Sequence, residues 1–350
     1  MKKFLIKCIL FSLPLWIALI PYVFRDPFKV LYHYENYYSA EGKDYYVNTN
    51  RGFVSTQMYI QNKDKYHYDS FIFGSSRSHV FCINEWKKYI GDTTSCFHFD
   101  GYGESLYMIH AKMKYVDGKS PMRNVLLPID YEVLSQVEQD YGHLWVAHPA
   151  LVEGNWGTFQ MAHLRAYITP KFLFAYWDLF LTGMSKPYMF EDQIIEKADT
   201  VYNVAYNERS NRESVIERLD DEYYAEKNMS FPERNGENYY PIIIGSKQKL
   251  MLTEICAVLE RNGGNFRVLI NPGYDQKRLS EEDMAYLKEL FGNNLVDFSG
   301  KNVWTEDFHY WSDPSHFNAY VSNEMLRVAY ENDLTERKRM LDSIYFLRAE

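Results

Sequence analysis

Residues 69–78 read DSFIFGSSRS, a short apolar run that ends abruptly in a glycine and two serines. A continuous apolar run of this length is typical of a strand buried on both faces, as in a parallel sheet. Parallel sheets bind their ligands beyond the carboxyl ends of the strands. The run therefore predicts a buried strand that delivers the hydroxyl of Ser76 to a ligand site.

Far downstream, residues 313–316 read DPSH, so an aspartate precedes a histidine by three residues. A serine hydroxyl becomes a nucleophile when an imidazole removes its proton, and the imidazole needs a carboxylate to fix its tautomer. Ser76, His316 and Asp313 supply these three groups. We expect Asp313 to cap a helix that runs to Tyr330, with Pro314 at its first position and His316 in its first turn.

The remainder of the predicted core alternates strands with helices. Besides Phe71 to Phe73, strands are predicted at Ser95 to Phe99, Val125 to Ile129, Phe266 to Ile270 and Leu295 to Phe298. Helical spacing of apolar residues covers Gly245 to Glu260 and Glu281 to Phe291. This alternation predicts an α/β fold with a central parallel sheet and right-handed crossovers.

The motifs together resemble the SGNH (GDSL-like) hydrolases, and within them the membrane-linked branch that includes alginate O-acetylation and teichoic-acid D-alanylation proteins. Residues 74–76 match the first block of that family, with Ser76 at the nucleophile position, and Asp313 and His316 match its last block. Residues 97–105 resemble the second block, in which a glycine amide holds the oxyanion. Gly103 is the better match for that glycine, and Gly101 is the alternative.

The third block departs from the family pattern. It normally ends in an asparagine that donates to the oxyanion, and here residues 124–130 end in Asp130. An ionised carboxylate only accepts hydrogen bonds, so Asp130 cannot stabilise an oxyanion unless it is protonated. The oxyanion site is then expected to consist of the backbone amides of Ser76 and Gly103, which leaves acyl transfer to a bound partner open beside hydrolysis.

Three further residues are candidates for substrate contact. Arg77, beside the nucleophile, is suited to an anionic substrate group or equally to a local carboxylate. His309 and His148 are candidates near the site, although each also fits a structural loop residue. We predict no metal site, because no His-x-x-x-His pair occurs and the serine motif already accounts for His316. No cofactor is implied.

The amino terminus predicts the location of the protein. Lys2, Lys3 and Lys7 precede an apolar run from Cys8 to Phe24, which is at the short end of what spans a bilayer. We expect an uncleaved transmembrane anchor with the catalytic domain outside the cytoplasm, in the periplasm or at the cell surface. A cleaved signal peptide is the alternative, although no small-x-small cleavage site follows the run.

Composition limits the possible partners. The net charge of −9 argues against nucleic acid and makes a polyanionic substrate less favourable. Cys82, Cys96 and Cys256 are interpreted as small buried side chains. A disulfide between Cys82 and Cys96 is the alternative in an oxidising exterior.

The chain is expected to comprise five segments. They are an anchor at 1–25, a linker leading into the domain at 26–68, an SGNH-like catalytic domain at 69–131 and 245–335, a helical, aromatic-rich insertion at 132–244, and a tail at 336–350. The insertion is predicted to cap the site. Its aromatic run at 172–181 is predicted to be a buried helix, with membrane docking as the alternative.

The resemblance implies a flavodoxin-like three-layer sandwich with about five parallel strands. It also implies a serine-dependent acyltransferase, most simply an acetyltransferase, that uses an acyl donor and a cell-surface polysaccharide acceptor, with a membrane-bound O-acyltransferase as partner. An esterase or deacetylase of the same family is the nearest alternative. A non-catalytic binding module of an exopolysaccharide assembly is the alternative from another class. Sugar, acyl group and oligomeric state stay open.

Overall fold

The computed structural model describes residues 2–39, 42–198, 201–210 and 218–345. The chain forms two units. Met1–Asn50 and Tyr141–Asp199 make up the helical unit, and Arg51–Asp140 and Thr200–Glu350 make up the sheet unit. The segment 132–244, expected to be one insertion, is therefore divided: residues 141–199 belong to the helical unit and the flanking parts belong to the sheet unit.

The sheet unit contains the five predicted strands. They are β1 (Ser70–Gly74), β2 (Cys96–Asp100), β3 (Asn124–Ile129), β4 (Asn265–Ile270) and β5 (Leu295–Asp297). The spatial order is β5-β4-β3-β1-β2, and every neighbouring pair is parallel. The order reverses between β1 and β3, and open α/β sheets bind ligands at such a switch point. Ser76 follows β1 there.

Helices cover both faces of this sheet. Tyr59 of the helix Arg51–Tyr66 packs on one face, where its ring lies 6.0 Å from that of Phe71. Ile72 points to the other face because side chains alternate along a strand. It belongs there to a buried cluster that includes Trp86 and Met325. Both faces of β1 are therefore apolar, which explains its continuous run of apolar residues.

The other elements of the sheet unit are short strands and helices. Among the described residues of this unit, the helices besides Arg51–Tyr66 are Ile83–Ile90, Leu106–Val116, Tyr131–Ser135, Asp221–Glu226, Ser246–Arg261, Glu281–Phe291, Val303–Glu306, Ala319–Ala329 and Leu334–Tyr345. Turns of 3₁₀-helix occupy Ser76–Val80, Gly292–Asn294 and Phe308–Tyr310. Val201–Asn203 pairs with Glu208–Ser210 and Trp311–Asp313 with His316–Phe317, both antiparallel, and Asn238–Tyr239 pairs with Lys277–Arg278 in parallel. The predicted helices around 245–260 and 281–291 are confirmed.

The prediction that Asp313 caps a helix is wrong. Asp313 ends one short strand and pairs with His316 in the next, so the DPSH motif is the turn of a hairpin. The following helix begins at Ala319, and its cap is Asn318, whose side chain accepts from the amide of Val321 over 3.4 Å. Asparagine is among the preferred cap residues and Asp313 is held in the hairpin, so the helix starts after Asn318.

The helical unit contains four helices and one pair of strands among its described residues. The helices are Lys2–Arg25, Trp156–Tyr167, Pro170–Thr182 and Pro187–Glu191, and Tyr45–Val47 pairs with Ile195–Lys197 in an antiparallel arrangement. The aromatic run at 172–181 is helical as predicted. It buries Phe172 and Tyr176, whereas Phe174 is exposed.

The expected membrane anchor is not supported. Residues 2–25 do form a helix, Lys2–Arg25. Within residues 2–39, 42–198, 201–210 and 218–345, however, no helix combines the length and the apolar character that crossing a membrane requires. The prediction of one N-terminal transmembrane helix is therefore left unsupported.

Cys82 and Cys96 do not form a disulfide. Cys82, Cys96 and Cys256 are free thiols, of which Cys96 and Cys256 are buried and Cys82 is partly exposed. Burial raises the pKa of each thiol to about 11. Three protonated thiols agree with the interpretation as small packing side chains.

A buried ion pair holds the carboxyl end of β2. Arg51 Nε donates to Asp100 Oδ2 over 2.8 Å, and both side chains are fully buried. His79 Nε2 bonds to the same oxygen, and the Asn207 amide donates to Asp100 Oδ1 over 3.4 Å. Burial raises the pKa of Asp100, but the charge of Arg51 together with the charge and hydrogen bond of His79 outweighs burial and lowers that pKa well below its ordinary value. The pair fixes the start of the loop at 101–105.

Replacing Arg51 by methionine is expected to lower the free energy of unfolding by about 3–5 kcal/mol, because Asp100 becomes a buried charge without its cation. Denaturant unfolding followed by circular dichroism measures this loss. Arg123→Met is the matched control, since Arg123 lies 3.8 Å from Asp69 with its side chain 73% exposed. Arg123→Met should lower the free energy of unfolding by no more than about 1 kcal/mol. An equally small decrease in Arg51→Met would contradict the prediction.

The same pair predicts a pH dependence with a definite sign. Because the pKa of Asp100 is lowered in the folded protein, its contribution to stability is present above its pKa in the unfolded chain. That contribution is lost as the pH falls through the folded pKa. The difference in stability between the wild type and Asp100→Asn is therefore expected to shrink in strong acid.

Candidate active site

A tight turn after β1 presents Ser76. Gly74 ends the strand, and a Cβ added there would lie 2.6 Å from the Cβ of Ser78, so only glycine fits. Ser75 then caps the 3₁₀-helix Ser76–Val80, because its Oγ accepts from the amide of Arg77 over 3.4 Å. Glycine and two serines thus end the strand and place Ser76 at the edge of the sheet.

Ser76, His316 and Asp313 form a continuous chain of hydrogen bonds. Ser76 Oγ lies 2.9 Å from His316 Nε2. His316 Nδ1 lies 2.9 Å and 2.8 Å from the two carboxylate oxygens of Asp313. With Nδ1–H directed at the carboxylate, Nε2 is the nitrogen that can accept the proton of the hydroxyl.

Asp313 is ionised at neutral pH. Burial raises its pKa, but the hydrogen bond to His316 and the charge of that imidazole outweigh burial and lower the pKa below its ordinary value. The same carboxylate accepts from the amide of Ser315 over 2.7 Å, which stabilises the turn of the hairpin. Asp313 therefore orients the imidazole and shapes the turn that carries it.

The two glycines of the second block, Gly101 and Gly103, differ in whether the backbone amide is already used in the fold. The amide of Gly101 donates to the carbonyl of Gly74 over 3.2 Å, so it is already used in the fold. Gly103 lines the cleft beside Ser76 and has a φ of +54°, a conformation that favours glycine. The amide of Ser76 lies in the first turn of its 3₁₀-helix, where it has no acceptor within that helix. This geometry favours Gly103 over Gly101 as the second donor.

Asp130, at the third-block position, makes structural hydrogen bonds. It caps the helix Tyr131–Ser135, where its Oδ1 accepts from the amide of Val133 over 3.0 Å. Its Oδ2 lies 2.9 Å from Arg77 Nη1 and accepts from Asn271 Nδ2 over 3.3 Å. These partners are all donors, as expected for an acceptor-only carboxylate, so Asp130 does not replace the asparagine of the family pattern.

Arg77 joins three parts of the site. Its Nη1 and Nη2 contact Asp130 and Glu132, at 2.9 Å and 2.8 Å, and its Nε donates to the carbonyl of Ser315 over 2.8 Å. Burial lowers its pKa, but the two carboxylates outweigh burial and raise it. Arg77 thus pairs with local carboxylates, the second of its two expected roles, and connects the turn that carries Ser76 to the hairpin that carries His316.

Ser76 and His316 open into a cleft of about 190 Å³. It is lined by Ser75, Ser76, Arg77, Gly103, Glu104, Asp130, Glu132, Val133, Gln136, Ser315 and His316. Glu104, Glu132 and Gln136 were not predicted from the sequence as site residues. Glu104 lies within the second block and pairs with the buried Lys112, and Glu132 lies in the first turn after β3. Because Glu104 and Glu132 lie within or directly after blocks that resemble the SGNH family, their positions could have identified them as residues of the cleft.

Two predicted contact residues do not line the cleft. His309 Nδ1 lies 2.6 Å from Asp307 and its Nε2 lies 3.1 Å from Asp221. Although burial lowers the pKa of His309, these carboxylates raise it overall. His148 belongs to the helical unit, where it is buried, its Nδ1 accepts from the amide of Ala150, and burial lowers its pKa to about 4. Both histidines have structural partners, in line with the loop-residue alternative, and substrate contact by either stays a prediction from the sequence.

Arg77→Lys is expected to lower the rate of ester turnover by about 10- to 100-fold with little loss of stability, because lysine keeps the charge but cannot hold three partners. Steady-state kinetics with 4-nitrophenyl acetate measure the rate. Glu132→Gln is the control, because it removes the charge of one partner of Arg77 whose side chain is 66% exposed. The rate of ester turnover by Glu132→Gln should stay within about threefold of the wild-type rate. Equal rates for the wild type and Arg77→Lys contradict a positioning role.

No group of three or more histidine, cysteine, aspartate or glutamate side chains in the described part of the chain could hold a metal ion. Comparison of the chain with protein-family models, curated proteins and solved structures gives no match. The function must therefore be argued from the geometry around Ser76.

Proposed function

We propose that this protein is a serine-dependent acyltransferase, most simply an acetyltransferase, that modifies a polysaccharide through an acyl-serine intermediate. The observation that carries the proposal is the 2.9 Å contact between Ser76 Oγ and His316 Nε2, with Asp313 behind the imidazole. These side chains come from opposite ends of the sheet unit in sequence. Serine, histidine and carboxylate in this order are the arrangement that activates a serine hydroxyl.

The proposed first half-reaction forms the acyl-serine. Ser76 Oγ attacks the acyl carbon of a donor ester, and its proton passes to His316 Nε2. The amides of Ser76 and Gly103 stabilise the negative oxygen of the tetrahedral intermediate. The bond to the donor oxygen then breaks, and that oxygen takes the proton back from His316. Asp313 stabilises the imidazolium while it is protonated.

The proposed second half-reaction reverses these roles. A hydroxyl of the acceptor gives its proton to His316 Nε2 and attacks the acyl carbon. The bond to Ser76 Oγ breaks, and the serine recovers the proton from His316. A sugar hydroxyl as acceptor gives transfer, and water gives hydrolysis, so the same groups serve both reactions.

The finer assignments follow from the resemblance to the SGNH hydrolases. The strand order, with β1 between β2 and β3, is that of flavodoxin-like sheets, and helices on both faces agree with a three-layer sandwich. A location outside the cytoplasm and a membrane-bound O-acyltransferase partner remain predictions from the sequence. Genomic adjacency to a multispanning acyltransferase is the observation that would support that partner.

An esterase or deacetylase is the second candidate. The side chains of His316 and Asp313 are 35% and 39% exposed, so water reaches the imidazole in this structure. Water at that position competes with a sugar hydroxyl for the acyl-serine. The two candidates share the nucleophile and differ only in the acceptor.

One experiment tests the proposal and separates the candidates. The full chain is incubated with 4-nitrophenyl acetate and a panel of oligosaccharides, and mass spectrometry measures acetylated sugar against free acetate. Transfer predicts acetylated sugar that depends on Ser76, whereas hydrolysis predicts acetate alone. Absence of ester turnover together with absence of fluorophosphonate labelling contradicts both enzymes and favours the binding module.

A further inference from the structure

Two neighbouring clefts share one wall. The Ser76 cleft has a volume of about 190 Å³, and a second cleft of about 40 Å³ lies beyond the carboxyl ends of β3 and β4. Arg77, Asp130 and Glu132 line both clefts. The second cleft is therefore a continuation of the first across these ion-paired side chains. Its own walls contain groups that the proposed acyl transfer does not use.

The second cleft has a rigid aromatic wall. The rings of Tyr131 and Tyr240 are stacked, with centroids 4.0 Å apart and planes 12° apart. The hydroxyl of Tyr240 donates to Asp275 Oδ2 over 2.7 Å, which fixes the orientation of that ring. Tyrosine offers a flat apolar body with a polar tip, a surface suited to the C–H face of a sugar ring.

The same cleft contains an unused hydrogen-bond acceptor. Asn271 is only 4% exposed and lines the cleft. Its Nδ2 donates to Asp130, but its Oδ1 is buried without a hydrogen-bond partner in the described part of the structure. Buried polar atoms are rarely left unpaired, and a cleft of this volume holds a group of about the size of one water molecule. A ligand hydroxyl would donate to this oxygen.

The charges of the two clefts disfavour an anionic ligand. Arg77 is engaged by two carboxylates and a carbonyl, and Lys277 lies 3.3 Å from Asp275. These are the lysine and arginine side chains among the described residues that line the clefts. Glu132, although it pairs with Arg77 at 2.8 Å, keeps 66% of its side chain exposed. An anionic sugar would meet an exposed carboxylate without an unengaged cation to offset it.

We propose that the two clefts form one acceptor groove for a neutral, hydroxyl-rich sugar chain. One sugar ring lies over the mouth of the second cleft, against the wall of Tyr131 and Tyr240, and directs a single hydroxyl into it toward Asn271 Oδ1. A neighbouring sugar directs a hydroxyl toward Ser76. This inference rests on the proposed acyltransferase function and narrows its acceptor to uncharged sugars. Uronic-acid and phosphate-bearing polymers are disfavoured.

Binding to the full-length Ser76→Ala protein tests the groove without turnover. Calorimetry compares cellotriose with the same trisaccharide oxidised to the acid at each C6. Cellotriose is expected to bind at least about tenfold more tightly than the acid. The difference should narrow as the salt concentration rises, because salt screens the repulsion of the acid by Glu132.

Two substitutions test the residues assigned to the groove. Tyr131→Ala is expected to weaken cellotriose binding about tenfold, whereas Tyr131→Phe should retain it, because the phenyl ring preserves the wall. Glu132→Lys changes an exposed side chain and is expected to improve binding of the acid about tenfold. A Glu132→Lys protein that binds the acid no better than its parent contradicts the electrostatic argument even if Tyr131→Ala fails to fold.

The outcomes separate this inference from the proposed function. Equal binding of cellotriose and the acid, or binding of neither, overturns the groove. If the wild type turns over 4-nitrophenyl acetate in that case, the serine chemistry survives and only the acceptor assignment is lost. If cellotriose binds tightly but the wild type does not turn over the ester, the result supports the groove and contradicts the proposed acyltransferase function.

Discussion

Ser76→Ala is expected to abolish covalent labelling by a fluorophosphonate probe and to lower ester turnover by roughly a million-fold. The reason is that Ser76 Oγ is the hydroxyl within 2.9 Å of His316 Nε2, and its removal leaves the imidazole without a nucleophile to activate. Labelling is read by in-gel fluorescence, and turnover by release of 4-nitrophenol. Digestion of the labelled wild type should place the probe on the peptide that contains residue 76.

Ser343→Ala is the matched control for this experiment. Ser343 is an exposed serine whose hydroxyl donates to the carbonyl of Met340, in the helix Leu334–Tyr345. Its removal should leave labelling and turnover unchanged, because this hydroxyl has no imidazole partner. Labelling of Ser76→Ala at the wild-type level would show that another residue reacts, and the assignment of Ser76 as nucleophile would then be lost.

The five strands and the pairing of Ser76 with His316 were predictable from the sequence, for a physical reason. A strand buried on both faces must be apolar throughout, and the stretch around Phe71 to Phe73 shows that pattern with a glycine at its end. Such runs are local, so their positions can be identified without knowledge of the fold. The order of the strands was expected only from the family resemblance, because the alternation of strands and helices does not determine it.

The helix start predicted at Asp313 was wrong, and the roles of Arg77 and His309 stayed open, because each depends on partners that the local sequence pattern does not reveal. The turn at 313–316 resembles a helix start, and only the pairing of Trp311 with Phe317 makes it a hairpin. Arg77 has three partners from two other segments, so a single sequence could not choose between a substrate and a carboxylate for it. His309 was placed near the site by sequence distance, yet its partners are Asp307 and Asp221.

Asp313→Asn is expected to lower turnover about ten-thousand-fold while the protein stays folded. Asparagine keeps an oxygen for the amide of Ser315, so the turn is preserved. Its NH₂ group, however, donates to His316 Nδ1 and forces the ring proton onto Nε2. Nε2 then cannot accept the proton of Ser76, and the hydroxyl is no longer activated.

Asp307→Asn is a demanding control for this prediction, because Asp307 is also an aspartate bonded to a histidine. Its Oδ1 lies 2.6 Å from His309 Nδ1, outside the Ser76 cleft. The pKa of Asp313, like that of Asp307, is lowered from its ordinary value, so both carboxylates are ionised at neutral pH and each substitution removes one negative charge. Turnover should fall only for Asp313→Asn. Equal turnover in the two variants would mean that the carboxylate beside His316 does not set its tautomer, and the proposed proton transfer from Ser76 would lose its basis.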